Sequence, residues 1–157
     1  MTSPQALLPA VIALAVEAGR LLAQEFRLPQ GPKRKAGRPT IDGLVEAVIH
    51  DGLRDLCGWM SPEDWVVDPH DGSTAFLAGE RGTAISIALI RQGVPVLGVV
   101  HAPLSPDRGA DTIAWAEGMD HLLRNGTPKT AQGRVYVSTY SHAKPQNPLR
   151  RSTTNHL

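Results

Sequence analysis

The sequence predicts an α+β protein built in layers, with two N-terminal helices packed on one face of a long, largely antiparallel sheet. Three observations lead there. Apolar residues recur with a helical period from Leu7 to Leu22 and again from Leu44 to Leu56. From Trp65 onward the text changes to short β-branched runs separated by glycine-containing turns. Finally, 157 residues with 41% hydrophobic side chains suffice for one domain with a proper core, and only 4% aromatics make that core aliphatic.

Ser3-Pro4 supplies a hydroxyl cap and a first-turn proline for the first helix. Leu7, Leu8, Val11, Leu14, Ala15, Ala18, Leu21 and Leu22 form its apolar side, Glu17, Arg20 and Gln24 its polar side, and Pro29 and Gly31 end it. Residues 31–39, GPKRKAGRP, read as a basic loop or short hairpin. Its Lys33, Arg34, Lys35 and Arg38 are either a solvated surface or an attractor for an anionic substrate. The second helix spans Thr40 to Leu56, with Leu44, Val45, Val48, Ile49, Leu53 and Leu56 on one face.

Trp65, Val66 and Val67 read as a short buried strand ending at Asp68. Runs 83–90 and 94–101 are strands joined by Arg91-Gln92-Gly93, with Pro95 marking a strand start or edge. Residues 112–116 are another strand, Asn125-Gly126 is the strongest hairpin-turn signal, and 135–138 is the last strand. Trp65 and Trp115 are expected in the core. From Ser141 onward apolar residues almost vanish, so residues 1–140 are expected to form the domain and 141–157 a disordered or loosely attached tail.

Composition excludes more than it selects. A net charge of +1 gives no reason to expect a nucleic-acid polymer or a membrane surface as partner. The single Cys57 excludes an internal disulfide and fits a reducing cytoplasm. No apolar run is expected to span a membrane, and Leu7 to Val16 lacks the basic flank of a signal peptide. The histidines and Cys57 show no zinc-type spacing, and no serine stands in a nucleophile elbow.

The chemistry concentrates in WVVDPHDGS, residues 65–73. Asp68 and Asp71 stand three apart across Pro69, followed by Gly72 and the hydroxyl of Ser73. Carboxylates at a strand end suit Mg²⁺, which takes oxygen ligands and leaves positions for substrate phosphate. Gly-Ser offers backbone N–H groups and a hydroxyl to phosphate oxygens. A polar Asp/Gly turn between strands has the same composition, so both readings stand on these residues alone.

The longer context resembles the inositol monophosphatase superfamily, whose signature is a strand, then DPxDGT, then an aromatic and a glycine. Here these are Asp68-Pro69-His70-Asp71-Gly72-Ser73, Phe76 and Gly79. Residues 84–103, 113–118 and 124–128 resemble the strands and tight turn that follow, most nearly in the bacterial 3'(2'),5'-bisphosphate nucleotidase (CysQ-like) branch. The resemblance implies that Asp68, the His70 carbonyl and Asp71 hold Mg²⁺ while Gly72 and Ser73 hold phosphate. TIDGLVE resembles the family's T-x-x-D-x-x-x-E in the spacing of Asp42 and Glu46, although Thr40 stands one residue too close to Asp42; the resemblance implies that Asp42 and Ser73 activate the attacking water. Asp42 is equally an ordinary acid at a helix start.

Two departures follow. Pro62 occupies the position of a family metal-binding glutamate, leaving Glu63 as a displaced ligand or an exposed loop acid. The resemblance covers roughly residues 5 to 140, only the first part of a family member, so a truncated member lacking the C-terminal metal-binding aspartate is expected. Two functions are therefore open. One is a Mg²⁺-dependent phosphomonoesterase acting on a small phosphorylated substrate, 3'-phosphoadenosine 5'-phosphate or an inositol phosphate. The other is a non-catalytic remnant with weak metal binding that self-associates as a homo-oligomer.

Overall fold

In the computed structural model the first helix, α1 (Pro4–Phe26), begins where its cap predicts. Ser3 has extended backbone, and its hydroxyl accepts the Ala6 N–H at 3.2 Å. The structure describes residues 3–56, 65–106 and 109–130. Leu7, Leu8, Val11, Ala15, Ala18, Gly19 and Leu22 form the buried stripe of α1. The 23 residues of α1 include an 18-residue window of mean hydropathy 1.8, so by length and composition the helix could cross a membrane, contrary to the expectation from sequence. In this fold that apolar side packs against the second helix and the sheet.

A basic hairpin follows: β1 (Arg34–Lys35) pairs antiparallel with β2 (Arg38–Pro39) across Ala36 and Gly37, both at positive φ. The next helix, α2 (Asp42–Leu56), buries Val45, Ile49 and Leu53. Leu44 is exposed, not in the core as its period suggested. It lies about 100° around the helix from the 45–49–53 line, which is the one that reaches the sheet.

Six strands make one antiparallel meander in sequence order. They are β3 (Trp65–Asp71), β4 (Ala84–Arg91), β5 (Val94–Ala102), β6 (Asp111–Ala116), β7 (Leu122–Arg124) and β8 (Thr127–Lys129). A short helix that the sequence reading did not anticipate, α3 (Ser73–Leu77), lies between β3 and β4. The expected strand at 135–138 and the boundary at residue 140 lie outside the described residues.

Side chains alternate along each strand, so one sheet face packs on the helices. Ile85, Ile87, Leu89, Leu97, Val99, Ala114 and Ala116 are buried there. On the opposite face the register aligns Val66 with Ala88, Gly98 and Trp115, and Asp68 with Ser86, Val100 and Ile113. Val66 is 58% exposed and Trp115 37% exposed, which corrects their placement in the core. Both have the parity that points away from the helices, whereas Trp65 and Val67 pack against the core.

Candidate functional site

The site grows from an irregularity in β3. The strand does not stop at Asp68; it continues to Asp71, with its register on β4 shifting between Asp68 and Asp71. Strict alternation would put residues three apart on opposite faces and would set His70 beside exposed Asp68. The shift breaks that parity. Asp68 and Asp71 are both exposed, and His70 is turned inward and buried.

Three contacts fix the turn. The His70 backbone N–H donates to Asp68 Oδ1 at 3.1 Å, holding that carboxylate over its own loop. Thr83, buried at the entry to β4, donates its hydroxyl to the Asp71 carbonyl at 2.8 Å. Gly72 has φ +78° and caps α3, and its carbonyl accepts the Phe76 N–H at 3.0 Å. That left-handed conformation favours glycine, which also leaves the backbone open to a ligand. Ser73 is the first residue of α3 and is half-buried.

Asp42 opens α2, 28 positions before His70, and the fold brings the two together. His70 Nδ1 lies 2.5 Å from Asp42 Oδ1. Among the described residues no hydrogen bond joins Asp42 to Ser73; the carboxylate is paired with the His70 ring instead. The His70 ring meets Phe76 edge-on, with centroids 4.6 Å apart at 84°. Phe76 in turn is fully buried against Phe26 of α1.

The His70 side chain is what sequence reasoning missed, because a residue at the variable motif position turns inward only through the shifted pairing of β3 on β4. Glu63 and Pro62 lie outside the described residues. Among the described residues no three His, Cys, Asp or Glu side chains gather as a metal cluster. Two exposed carboxylates in one turn suit a single Mg²⁺ completed by water and substrate phosphate, so the donor chemistry fits that ion. A separate groove of about 590 Å³ runs between α1 and α2, lined by Leu14, Val16, Glu17, Gly52 and Leu56, with no residue of the motif.

Comparison with known proteins matches residues 59–151, more than half of the chain, to the model of the inositol monophosphatase family. The chain belongs to that family. It is 31% identical over 162 residues to the 3'(2'),5'-bisphosphate nucleotidase CysQ of Shigella flexneri, covering 87% of this chain and 65% of that protein. It is 32% identical over 157 residues to the inositol-1-monophosphatase of Rhizobium meliloti, covering 87% of this chain and 59% of the relative. Among solved structures, inositol monophosphatase from Anabaena (Nostoc) sp. PCC 7120 superposes with a TM-score of 0.65 at 26% identity, over 82% of this chain and 48% of that one. The chain thus spans roughly half to two thirds of the length of these family members.

Proposed function

We propose that this chain carries the Mg²⁺ and phosphate site of a phosphomonoester hydrolase. The observation that carries the reading is the arrival of Asp42, from a distant helix, at the DPHDGS turn through its contact with His70. Asp68, Asp71 and the His70 carbonyl would hold the metal, with Glu63 as the further carboxylate of the set. The Gly72 backbone and the Ser73 hydroxyl would hold the phosphate. When bound, Mg²⁺ would supply positive charge against the phosphate oxygens and acidify the attacking water.

Asp42 is the proton acceptor in this reading. Its side chain is 31% exposed, so one edge of the carboxylate stays open to water while Oδ1 is held by His70. Ser73, next to the phosphate-binding glycine, orients the same water. The substrate class is a small phosphorylated nucleotide or inositol phosphate, the two chemistries named for the relatives CysQ and inositol-1-monophosphatase. In this reading the chain works in the cytoplasm, a reducing compartment compatible with a sequence that has one cysteine, Cys57.

A second reading is a metal-binding domain without turnover, associating with copies of itself along the outer sheet face. The lack, among the described residues, of a third acid grouped with Asp68 and Asp71 to hold a metal ion favours it, as do the exposed Val66, Val100, Ile113 and Trp115 on that face.

Calorimetric titration of the full chain with MgCl₂, with and without inorganic phosphate, tests the site shared by both readings. Millimolar-range binding strengthened by phosphate and lost in Asp68→Asn is expected. Equal heats in wild type and Asp68→Asn would remove the site.

A further inference from the structure

We propose that the His70 imidazole is the positioning residue for Asp42: it holds the carboxylate in the orientation from which it accepts a proton, an inference resting on the hydrolase reading above. Within the motif, His70 occupies the position between proline and the second aspartate, where the reading from resemblance uses only a backbone carbonyl. In this chain the side chain has its own task.

The geometry defines it. Asp42 sits in the first turn of α2, where a short acid has several rotamers open to water. His70 Nδ1 at 2.5 Å from Oδ1 selects one of them. An ionised carboxylate only accepts hydrogen bonds, so the imidazole proton stands on Nδ1. The ring itself has no freedom to search: its side chain is 3% exposed, and Phe76 meets it edge-on. His70 therefore brings a fixed donor to a mobile acceptor, and the ordering is already done by the packing of α3 and α1 beneath it.

The opposite assignment, His70 as the base with Asp42 behind it, fails on access. Nε2 is buried and has no hydrogen-bond partner among the described residues, so that nitrogen does not face solvent. Asp42 is the more exposed member of the pair, and it alone can reach both the imidazole and solvent. The same residue also ties down Asp68 through its backbone N–H. One buried histidine thus sets the orientation of a proposed metal ligand and of the proposed proton acceptor.

Three variants and one spectrum test this. A ¹⁵N-resolved NMR spectrum of the full wild-type chain should show His70 as the Nδ1–H tautomer, with its signals displaced in Asp42→Asn. For Mg²⁺-dependent phosphate release, His70→Leu keeps an apolar side chain against Phe76 but removes the donor. It should lower kcat by about 10- to 100-fold with KM little changed, the loss typical of supporting partners around a site. His70→Asn, which restores an N–H near the Nδ1 position, should recover part of kcat. Wild-type turnover that is unchanged in His70→Leu, or an Nε2–H tautomer, would overturn the positioning role while leaving the hydrolase reading intact. No turnover in wild type, with the tautomer and the Asp42→Asn displacement as expected, would overturn the hydrolase reading and keep His70 as the residue that holds Asp42.

Discussion

The ring of His101 lies directly against the bare Cα of Gly19: a Cβ built on that glycine would stand 2.5 Å from the ring's Cδ2 and 2.6 Å from Nε2. Gly19 is buried mid-helix in α1, and His101, 3% exposed, comes from β5, so this contact sets how closely the helix approaches the sheet. The ring is itself pinned, because Nδ1 lies 2.8 Å from the Thr112 hydroxyl. Gly19→Ala should therefore destabilise the chain by about 1–3 kcal/mol despite the better helix propensity of alanine. Urea unfolding monitored by circular dichroism checks it.

Gly52 in α2 makes a contrast. A Cβ there would meet the end of the Leu14 side chain at 2.4 Å, but Leu14 borders the open groove between α1 and α2 and can rotate away. Gly52→Ala is expected to be neutral or stabilising by up to about 1 kcal/mol in the same urea experiment. A loss as large as that for Gly19→Ala would show that the helices cannot adjust.

His101 also gives stability a pH dependence. Burial holds its pKa below the ordinary 6.5, with nearby Asp111 pulling weakly the other way. Because the unfolded chain takes up the proton first, this contribution is present above about pH 6.5 and is lost as pH falls toward the depressed native value. Stability measured between pH 7.5 and 5 should fall more steeply in wild type than in His101→Gln. Parallel curves would contradict the assignment.

Phe76 links the motif to the core. Fully buried, it touches both Phe26 and His70. Phe76→Ala should cost about 3–5 kcal/mol. Phe76→Leu, which keeps most of the volume, should cost less while loosening the His70 ring, seen as broadened imidazole signals in NMR.

Much of this was legible locally. The Ser3 cap, the Val45–Ile49–Leu53 line and the Asn125-Gly126 turn, both of whose residues have positive φ, are set by neighbours in sequence. Val66 and Trp115 were misplaced because hydrophobicity alone does not say which sheet face a strand residue takes; parity within the paired strand does. The candidate site divides the same way. Asp68 and Asp71 stand out in the text, but the shift that exposes both and buries His70 arises from pairing between β3 and β4. The contact between Asp42 and His70 needs α2 folded back over β3, and no local pattern carries it.

The most direct measurement of the central proposal is phosphate release from 3'-phosphoadenosine 5'-phosphate and from inositol 1-phosphate by the full chain, over a MgCl₂ series, beside Asp71→Asn. Turnover that rises with Mg²⁺ and disappears in Asp71→Asn is the expected result. No Mg²⁺-dependent release in wild type, or release unchanged by Asp71→Asn, would contradict the assignment of the DPHDGS turn as a hydrolytic metal site.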